Sequence, residues 1–498
     1  MKAESANGNG NWKLKIEDWK LKIENRQLLL LGCWGLVCLA LAPPAAAQSV
    51  WELTPYRIQV LVAFAPAPEL TPRLQTELLA DLAERADSLV GAAWIITVAP
   101  APPALQPTLI SAIESVPIES LPQQSPQADK VMLLAISPAV DGCRVTAREF
   151  DVPTQLFSAA VSRPVWQLGK LCDEALAAVF EAFAPLARIE SVEKEQVTLR
   201  LKAAALPLRD RQLSLVQPGD VFLPVIRYQD GEGNLRKDRR GIVIRPKPVP
   251  WTFCTVRQIT PSRLECQLHS GLRSPLSGRR RGRVQQLALA VVPPQQPTIL
   301  TLQSRSEPKQ ALAGYEVYAH PPDAKTPVLL GRTDGQGRIT VPPGDGPLRV
   351  LLARSGGELL ARLPMVPGLQ AACTAEIAAD DPRLEAEGLL NGLREELVDL
   401  VARREVLFAR TRARIKAGQF DEAEELIGQL LRLEQSQQEL SRTLAAQQRG
   451  IRAGDPVVQR EIDALFGDTQ KLLRTQLHAE AVERLREELR TARSTAKS

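Results

Sequence analysis

Beyond residue 48 the hydrophobic residues of this 498-residue chain change their spacing three times, and each change restricts what the next stretch can fold into. Runs at 57–64, 93–99, 130–136, 144–150 and 196–201 read as strands, and the helical period fills 71–90, 110–118 and 166–186. Residues 48–203 are therefore predicted to be an α/β domain. Asp141-Gly142 marks a hairpin inside it. From residue 204 to 297 the helical period disappears. Short runs at 221–228, 241–244, 252–259, 263–269 and 284–292, with Pro218-Gly219 supplying a bend, predict a small β-barrel or sandwich. After residue 382 leucines step by three and four. Leu390, Leu393, Leu397, Leu400 and Leu407 form one stripe, interrupted by Arg404, and Leu426, Leu430, Leu433, Leu440 and Leu444 form a second. Reversals at Gly418 and at 450–456 precede a third stripe from Ile462 to Leu489. Antiparallel helical hairpins, a three-helix coiled coil within 370–498, follow.

The remaining stretch, 298–369, carries a distinctive set of residues. Gly314-Tyr315-Glu316-Val317-Tyr318 is followed by Gly331-Arg332-Thr333-Asp334-Gly335-Gln336-Gly337 and then by Pro342-Pro343-Gly344. This pattern resembles the carboxypeptidase regulatory-like, transthyretin-like β-sandwich, in which a Thr-Asp-x-x-Gly turn joins two strands. The residue types have a physical reason: an Asp side chain bonds its own turn backbone, and Gly accepts positive φ. The resemblance implies an accessory module without catalytic residues. Elsewhere, residues 417–423 are similar to the inter-helix turn of a tetratricopeptide repeat. Thr411 and Arg414 depart from that family's pattern and no second copy follows, so a repeat array is not expected. The whole reads as a multidomain α+β protein.

Residues 28–42 form an apolar run of 15, shorter than the roughly 20 a spanning helix needs and suited to the core of a secretory signal. Six basic and four acidic residues precede it. Pro43-Pro44-Ala45-Ala46-Ala47 follows with an A-x-A site, so residues 1–47 are expected to be a signal peptide cleaved after Ala47. The alternative is a short helix that stays as a membrane anchor. The expected address is secreted or periplasmic, with no membrane span in the mature chain. The segment ahead of the apolar run is long and repeats WKLKIE at residues 12–17 and 19–24, which also fits a start codon placed too early.

Cleavage would remove a net charge of +2 from a total of +5, leaving too little for nucleic acid to be drawn by net charge alone. Local patches are another matter. Arg279, Arg280, Arg281 and Arg283 form the densest basic cluster, and Arg236, Lys237, Arg239 and Arg240 a second one in the same β stretch. Arginine forks suit phosphate or carboxylate, so these clusters are a candidate contact for anionic envelope polymer or lipid headgroups. Nucleic acid is disfavoured by export and by the lack of interleaved aromatics. Cys143, Cys172, Cys254, Cys266 and Cys373 remain after cleavage, an odd number, and lack the C-x-x-C spacing of zinc ribbons and redox sites. Cys254 with Cys266, facing across a hairpin, is the first candidate disulfide and Cys143 with Cys172 the second; buried free thiols are the alternative. Asp230, Glu232 and Asn234 alternate as in a calcium loop, but Leu235 occupies the position that requires glycine, so they read as a solvated turn.

Catalytic motifs are scarce. No nucleophile elbow, zinc-protease motif or phosphate loop occurs, and the only three histidines, His269, His320 and His478, fall in three different modules. No cofactor and no metal are expected. The sequence predicts an exported, non-enzymatic envelope protein acting as a structural or interaction scaffold, with protein partners or self-association through the C-terminal helices. Binding of an anionic polymer or lipid headgroups, or an unrecognised envelope hydrolase, is the alternative.

Overall fold

The computed structural model describes residues 50–495 except 122–127, 211–212, 232–233, 273–274, 277–283, 293, 295, 325 and 477–479. The expected signal peptide, Arg279, Arg280, Arg281 and Arg283, Glu232 and His478 lie outside the described residues.

The first module is an α/β layer structure. After a short helix α1 (Val50–Leu53), strands β1 (Tyr56–Phe64), β2 (Trp94–Pro100), β3 (Lys130–Ala139), β4 (Gly142–Asp151), β5 (Leu156–Phe157) and β6 (Val161–Val165) form one sheet in the order β2-β1-β3-β4-β5, with β6 also on β4. The β1 pairings to β2 and β3 are parallel, and β3–β4 is the antiparallel hairpin that Asp141-Gly142 signals. Parallel neighbours need crossover helices, supplied by α2 (Pro72–Val90) and α3 (Gln106–Ala112). Thr71 caps α2 through Oγ1, which accepts from the Leu74 amide, and Pro72 opens the helix. Helix α4 (Leu171–Ala182) packs beside α2 on one face of the sheet, closing a core that includes Val60, Leu82, Ile136 and Val179.

The second module is a closed six-stranded antiparallel barrel. Strands β7 (Leu186–Glu193), β8 (Gln196–Leu201), β9 (Val221–Tyr228), β10 (Lys247–Pro248), β11 (Thr252–Ile259), β12 (Arg263–Ser270) and β13 (Val284–Ala290) run β10-β9-β11-β12-β8-β7-β13, and β13 pairs back onto β9. Strand 196–201, expected to finish the α/β domain, instead belongs to this barrel, so its boundary lies before Leu186 rather than at 203. An alternating pattern specifies a half-buried strand but not its sheet. Residues 241–244 form only a single bridge, Lys237 to Val243, rather than a strand.

The expected cysteine pairings also need correction. All five described cysteines are free thiols. Hydrogen bonds between Thr260 and Arg263 place the turn tip at Pro261-Ser262, and a bulge after Val256 then shifts the register, so Cys254 lies opposite Leu268 and Cys266 opposite Val256. The two thiols are diagonal neighbours. Diagonal positions stand about 7–8 Å apart, beyond disulfide reach. Both are buried in the barrel core as small hydrophobes. Cys143 and Cys172 are likewise free and sit in the α/β core on β4 and α4.

The third module packs two sheets on one core. Strands β14 (Thr298–Ser304), β15 (Glu316–His320), β16 (Val328–Arg332), β17 (Arg338–Val341), β18 (Arg349–Ser355), β19 (Glu358–Met365) and β20 (Ala372–Ile377) divide into β17-β14-β20 and β16-β15-β18-β19. Leu300, Leu302, Val317 and Leu351 meet between them. The module extends to Ile377, past the expected boundary at 369. Asp334 Oδ1 accepts from the amides of Gln336 and Arg338 at 2.8 Å each, and Gly337 has φ +71° in the turn joining the sheets. A Cβ on Gly337 would stand 2.4 Å from the Leu302 carbonyl oxygen, so this position excludes any larger residue.

The chain ends in an arm of long helices. Helices α5 (Asp381–Lys416) and α6 (Phe420–Gly450) run antiparallel, and the third stripe lies on α7 (Pro456–Gln476) and α8 (Glu480–Thr495), with residues outside the described set between them. At 1.5 Å per residue, α5 spans about 54 Å. Leu390, Leu397, Leu444 and Phe466 fill the end nearer the sandwich, and Phe408, Leu430 and Leu485 fill the tip. Arg404, which interrupts the leucine stripe, is buried with its guanidinium 5.0 Å from the Phe408 ring.

Candidate binding cleft between three modules

A site shared by three modules requires that they be held in register, and buried polar groups do that. Where the chain leaves the α/β module, Lys130 Nζ donates to Glu149 Oε1 at 2.6 Å, to Asp151 Oδ1 at 2.9 Å and to the Ala184 carbonyl at 2.6 Å. Glu149 Oε2 accepts from the Ala184 amide at 2.9 Å. Tyr56 Oη accepts from the Leu186 amide at 2.9 Å and donates back to its carbonyl. Three buried side chains thus grip the connector into the barrel. Asp151 Oδ2 is satisfied separately by the amide and hydroxyl of Thr154. Glu149 and Asp151 share one face of β4 because strand side chains alternate, and the ammonium arrives from the antiparallel neighbour β3.

The electrostatics follow from burial. Desolvation, with the Asp151 charge added, lifts the Glu149 carboxyl to about 7 despite its ammonium partner. Burial alone would lower the Lys130 ammonium, but Asp151 and Glu149 more than offset this and hold it above its ordinary value. Burial likewise raises the Tyr56 phenol. Beside this group Lys202 Nζ reaches Asp129 at 2.5 Å and the Trp51 ring at 5.3 Å, with burial lowering its ammonium.

The barrel is joined to the sandwich by a small apolar cluster, Val221, Phe253, Leu348 and Val366, and by the ion pair of Arg257 with Asp323. His269 lies buried at this junction; desolvation, then the charges of Arg362 and Arg257, hold its imidazole down to about 4, so it is neutral near pH 7. His320 is part-exposed in the sandwich with Nδ1 2.7 Å from the Pro321 carbonyl. The described histidines do not converge, and among the described residues no group of three or more His, Cys, Asp and Glu could hold a metal ion.

With the modules fixed, a cleft of about 600 Å³ opens among them. Residues 156–159 of the α/β module, 248–251 with Phe253 of the barrel, the end of β13 with the connector that follows it (289–292), and 364–366 with 372–374 of the sandwich line it. Its walls are mainly aliphatic and aromatic, the character of a ligand-sized site. The α/β wall is stiffened from behind: Arg148 donates to the carbonyls of Ser158, Ile113 and Glu114 and stacks 4.2 Å from the Phe157 ring, while Ser158 Oγ accepts from the Glu149 amide at 2.9 Å. Cys373 sits in the opposite wall, its thiol pushed up to about 11 by burial. It is therefore protonated near neutral pH, poorly suited to act as a nucleophile. Strand β20 is an edge strand. Its parallel pairing to β14 directs the backbone of Cys373 and Ala375 toward β14 and leaves that of Ala372 and Thr374 facing outward.

Of the residues singled out in the sequence, Arg236, Lys237, Arg239 and Arg240 are exposed on the hairpin after β9, and Asp230 Oδ1 accepts from the Asn234 amide as a turn closure. The clamp around Lys130 and the cleft were not anticipated. The readable signal for the clamp was a Lys heading an otherwise apolar strand, followed across a hairpin by Glu149 and Asp151 two residues apart.

No family model matches the sequence, and no curated protein matches it. Among solved structures, a dodecamer of a leucine-to-methionine variant of PelC from Paraburkholderia phytofirmans is 21% identical over 25% of this chain and 86% of its own, with a TM-score of 0.16. The PelC dodecamer from the same organism is 19% identical over 25% and 84%, at 0.15. TolB from Acinetobacter baumannii is 12% identical over 65% and 95%, at 0.17. Similarities at these TM-scores carry no argument about this chain. What the fold itself defines is the class: a multidomain α+β protein with a six-stranded barrel and C-terminal helices. Among the described residues no helix is long and apolar enough to cross a membrane.

Proposed function

We infer that the protein is a non-enzymatic interaction scaffold, exported to the bacterial envelope behind the leader at residues 1–47, that receives an extended apolar segment of a partner protein in its central cleft. The carrying observation is the cleft itself, shared by three modules and bordered by the outward-facing backbone of Ala372 and Thr374 on β20. An extended segment adds to such an edge by main-chain hydrogen bonds while its side chains fill apolar pockets. The sandwich is assigned to the carboxypeptidase regulatory-like type, supported by its seven strands in two sheets and by the Asp334–Gly337 turn. The helical arm offers a second contact surface, with Val398 and Val406 at 66% and 50% exposure.

A photo-crosslinking side chain placed at Thr374 in the full chain, in cells, is expected to yield one discrete adduct with another protein. The same group at Val140, fully exposed on the β3–β4 turn and outside the cleft, is expected to yield none. Equal labelling from both positions, or none from Thr374, contradicts the reading.

A further inference from the structure

We propose that the hairpin following β9 is a docking surface for a bilayer carrying anionic lipid headgroups. This inference goes beyond the scaffold reading and does not depend on what the cleft binds.

The hairpin is an ordered ribbon. Strand β9 continues through the Gln229–Leu235 bridge, turns again, and returns through the Lys237–Val243 bridge. The Arg236 amide donates to the Tyr228 carbonyl at 3.0 Å and the Ile244 amide to the Arg236 carbonyl at 2.8 Å. At the tip, Asp238 Oδ1 accepts from the amides of Arg240 and Ile242 at 2.8 and 2.9 Å, and Gly241 takes φ +81°. The base is tied back to β9 by β10, with Lys247 opposite Ile226 and Pro248 opposite Val225, and the exposed Arg245 guanidinium beside it pairs with Glu119 of the α/β module at 2.5 Å. The tip is therefore presented on a fixed stalk.

Its chemistry is unusual for a solvated turn. Arg236, Lys237, Arg239 and Arg240 are all exposed, and among the described residues none of them makes an ion pair; against these four cations the segment 236–240 holds one carboxylate, Asp238. Directly after them stand two aliphatic side chains left in water, Ile242 at 62% and Val243 at 42% exposure. The Lys237–Val243 bridge places one cation and one aliphatic group side by side on the same face of the ribbon. Cations around exposed aliphatic groups match the bilayer interface, where headgroup phosphates meet the first methylenes. A polyanion in water would use the cations and gain little from Ile242 and Val243. No aromatic residue stands among 229–247 to stack on bases, which argues against single-stranded nucleic acid.

The test compares retention of the full chain on vesicles of phosphatidylcholine and on vesicles also containing phosphatidylglycerol, in low salt. The expected result is a preference for the anionic vesicles that fades as salt is raised. Since each cation near an anionic surface contributes roughly fivefold in affinity, Arg236, Lys237, Arg239 and Arg240 all replaced by Ser should reduce that preference by at least about a hundredfold. Ile242→Ser with Val243→Ser should weaken vesicle binding while leaving retention on heparin unchanged. Thermal unfolding of each variant, expected to match the parent because every replaced side chain is exposed, shows that the fold is intact. No preference for anionic vesicles, a preference that survives the fourfold replacement, or heparin retention without vesicle preference each overturns the proposal.

Discussion

Replacing Lys130 by alanine should destabilise the folded protein by about 3 to 5 kcal/mol, because it leaves the buried Glu149 and Asp151 facing each other without their cation. The cost should also depend on pH. The Glu149 carboxyl is held at about 7 in the folded protein against an ordinary 4.5. Between those values the unfolded chain releases a proton that the folded protein keeps, so this group's contribution to stability is present at acid pH and is lost as pH rises through about 7. Without Lys130 the folded carboxyl moves further up and the loss deepens. Urea unfolding should therefore show a larger deficit near pH 8 than near pH 5. A deficit below about 1 kcal/mol, the scale of an exposed ion pair, or one that is flat with pH, would show that the group is not buried as described.

The second large effect is expected where the helical arm meets the sandwich. Asp380 is fully buried and holds Arg383 through two contacts, Nε to Oδ1 at 2.8 Å and Nη2 to Oδ2 at 2.6 Å, while its own amide donates to Tyr315 Oη at 2.8 Å. Tyr315 Oη in turn donates to Asp381 Oδ1, and Arg383 also reaches the Ser355 carbonyl. Asp380→Ala strands a buried guanidinium, although Glu387 remains as a partner at the rim, so the expected loss is about 3 kcal/mol. The loss should be local. Spin labels at Val406 on the arm and Leu329 on the sandwich, both exposed, are expected to give one narrow distance distribution in the parent and a broad one in Asp380→Ala. Two equally narrow distributions would mean that the apolar contacts at the base fix the arm unaided.

How much of this was legible in the sequence depends on the kind of information each feature needs. A long amphipathic run located α2, and the leucine steps located the helical arm, because periodicity is local. Asp334 and Gly337 fixed their turn for the same reason. Strand 196–201 was found as a strand and assigned to the wrong module, since sheet membership depends on partners far away in the chain. The cysteine pair failed on register: opposing Cys254 and Cys266 needs a turn centred on Thr260, whereas the tip lies at Pro261-Ser262, and even with the bulge after Val256 the two thiols stand two residues out of step. The clamp was hidden most deeply. Lys130, Glu149 and Asp151 read as strand-end charges until the fold brings Ala184 and Leu186 between them. The cleft, built from three modules, has no sequence signature of its own.

The central claim is that the modules form one preorganised body, so that the cleft exists before anything enters it. Hydrogen–deuterium exchange at the two connectors tests this most directly. The Ala184 and Leu186 amides, bonded to Glu149 and Tyr56, and the Asp380 amide, bonded to Tyr315, should exchange as slowly as the central strands β1 and β3. Exchange of these three amides at the rate of exposed turns, with β1 and β3 still protected, would mean independently moving modules and no standing cleft.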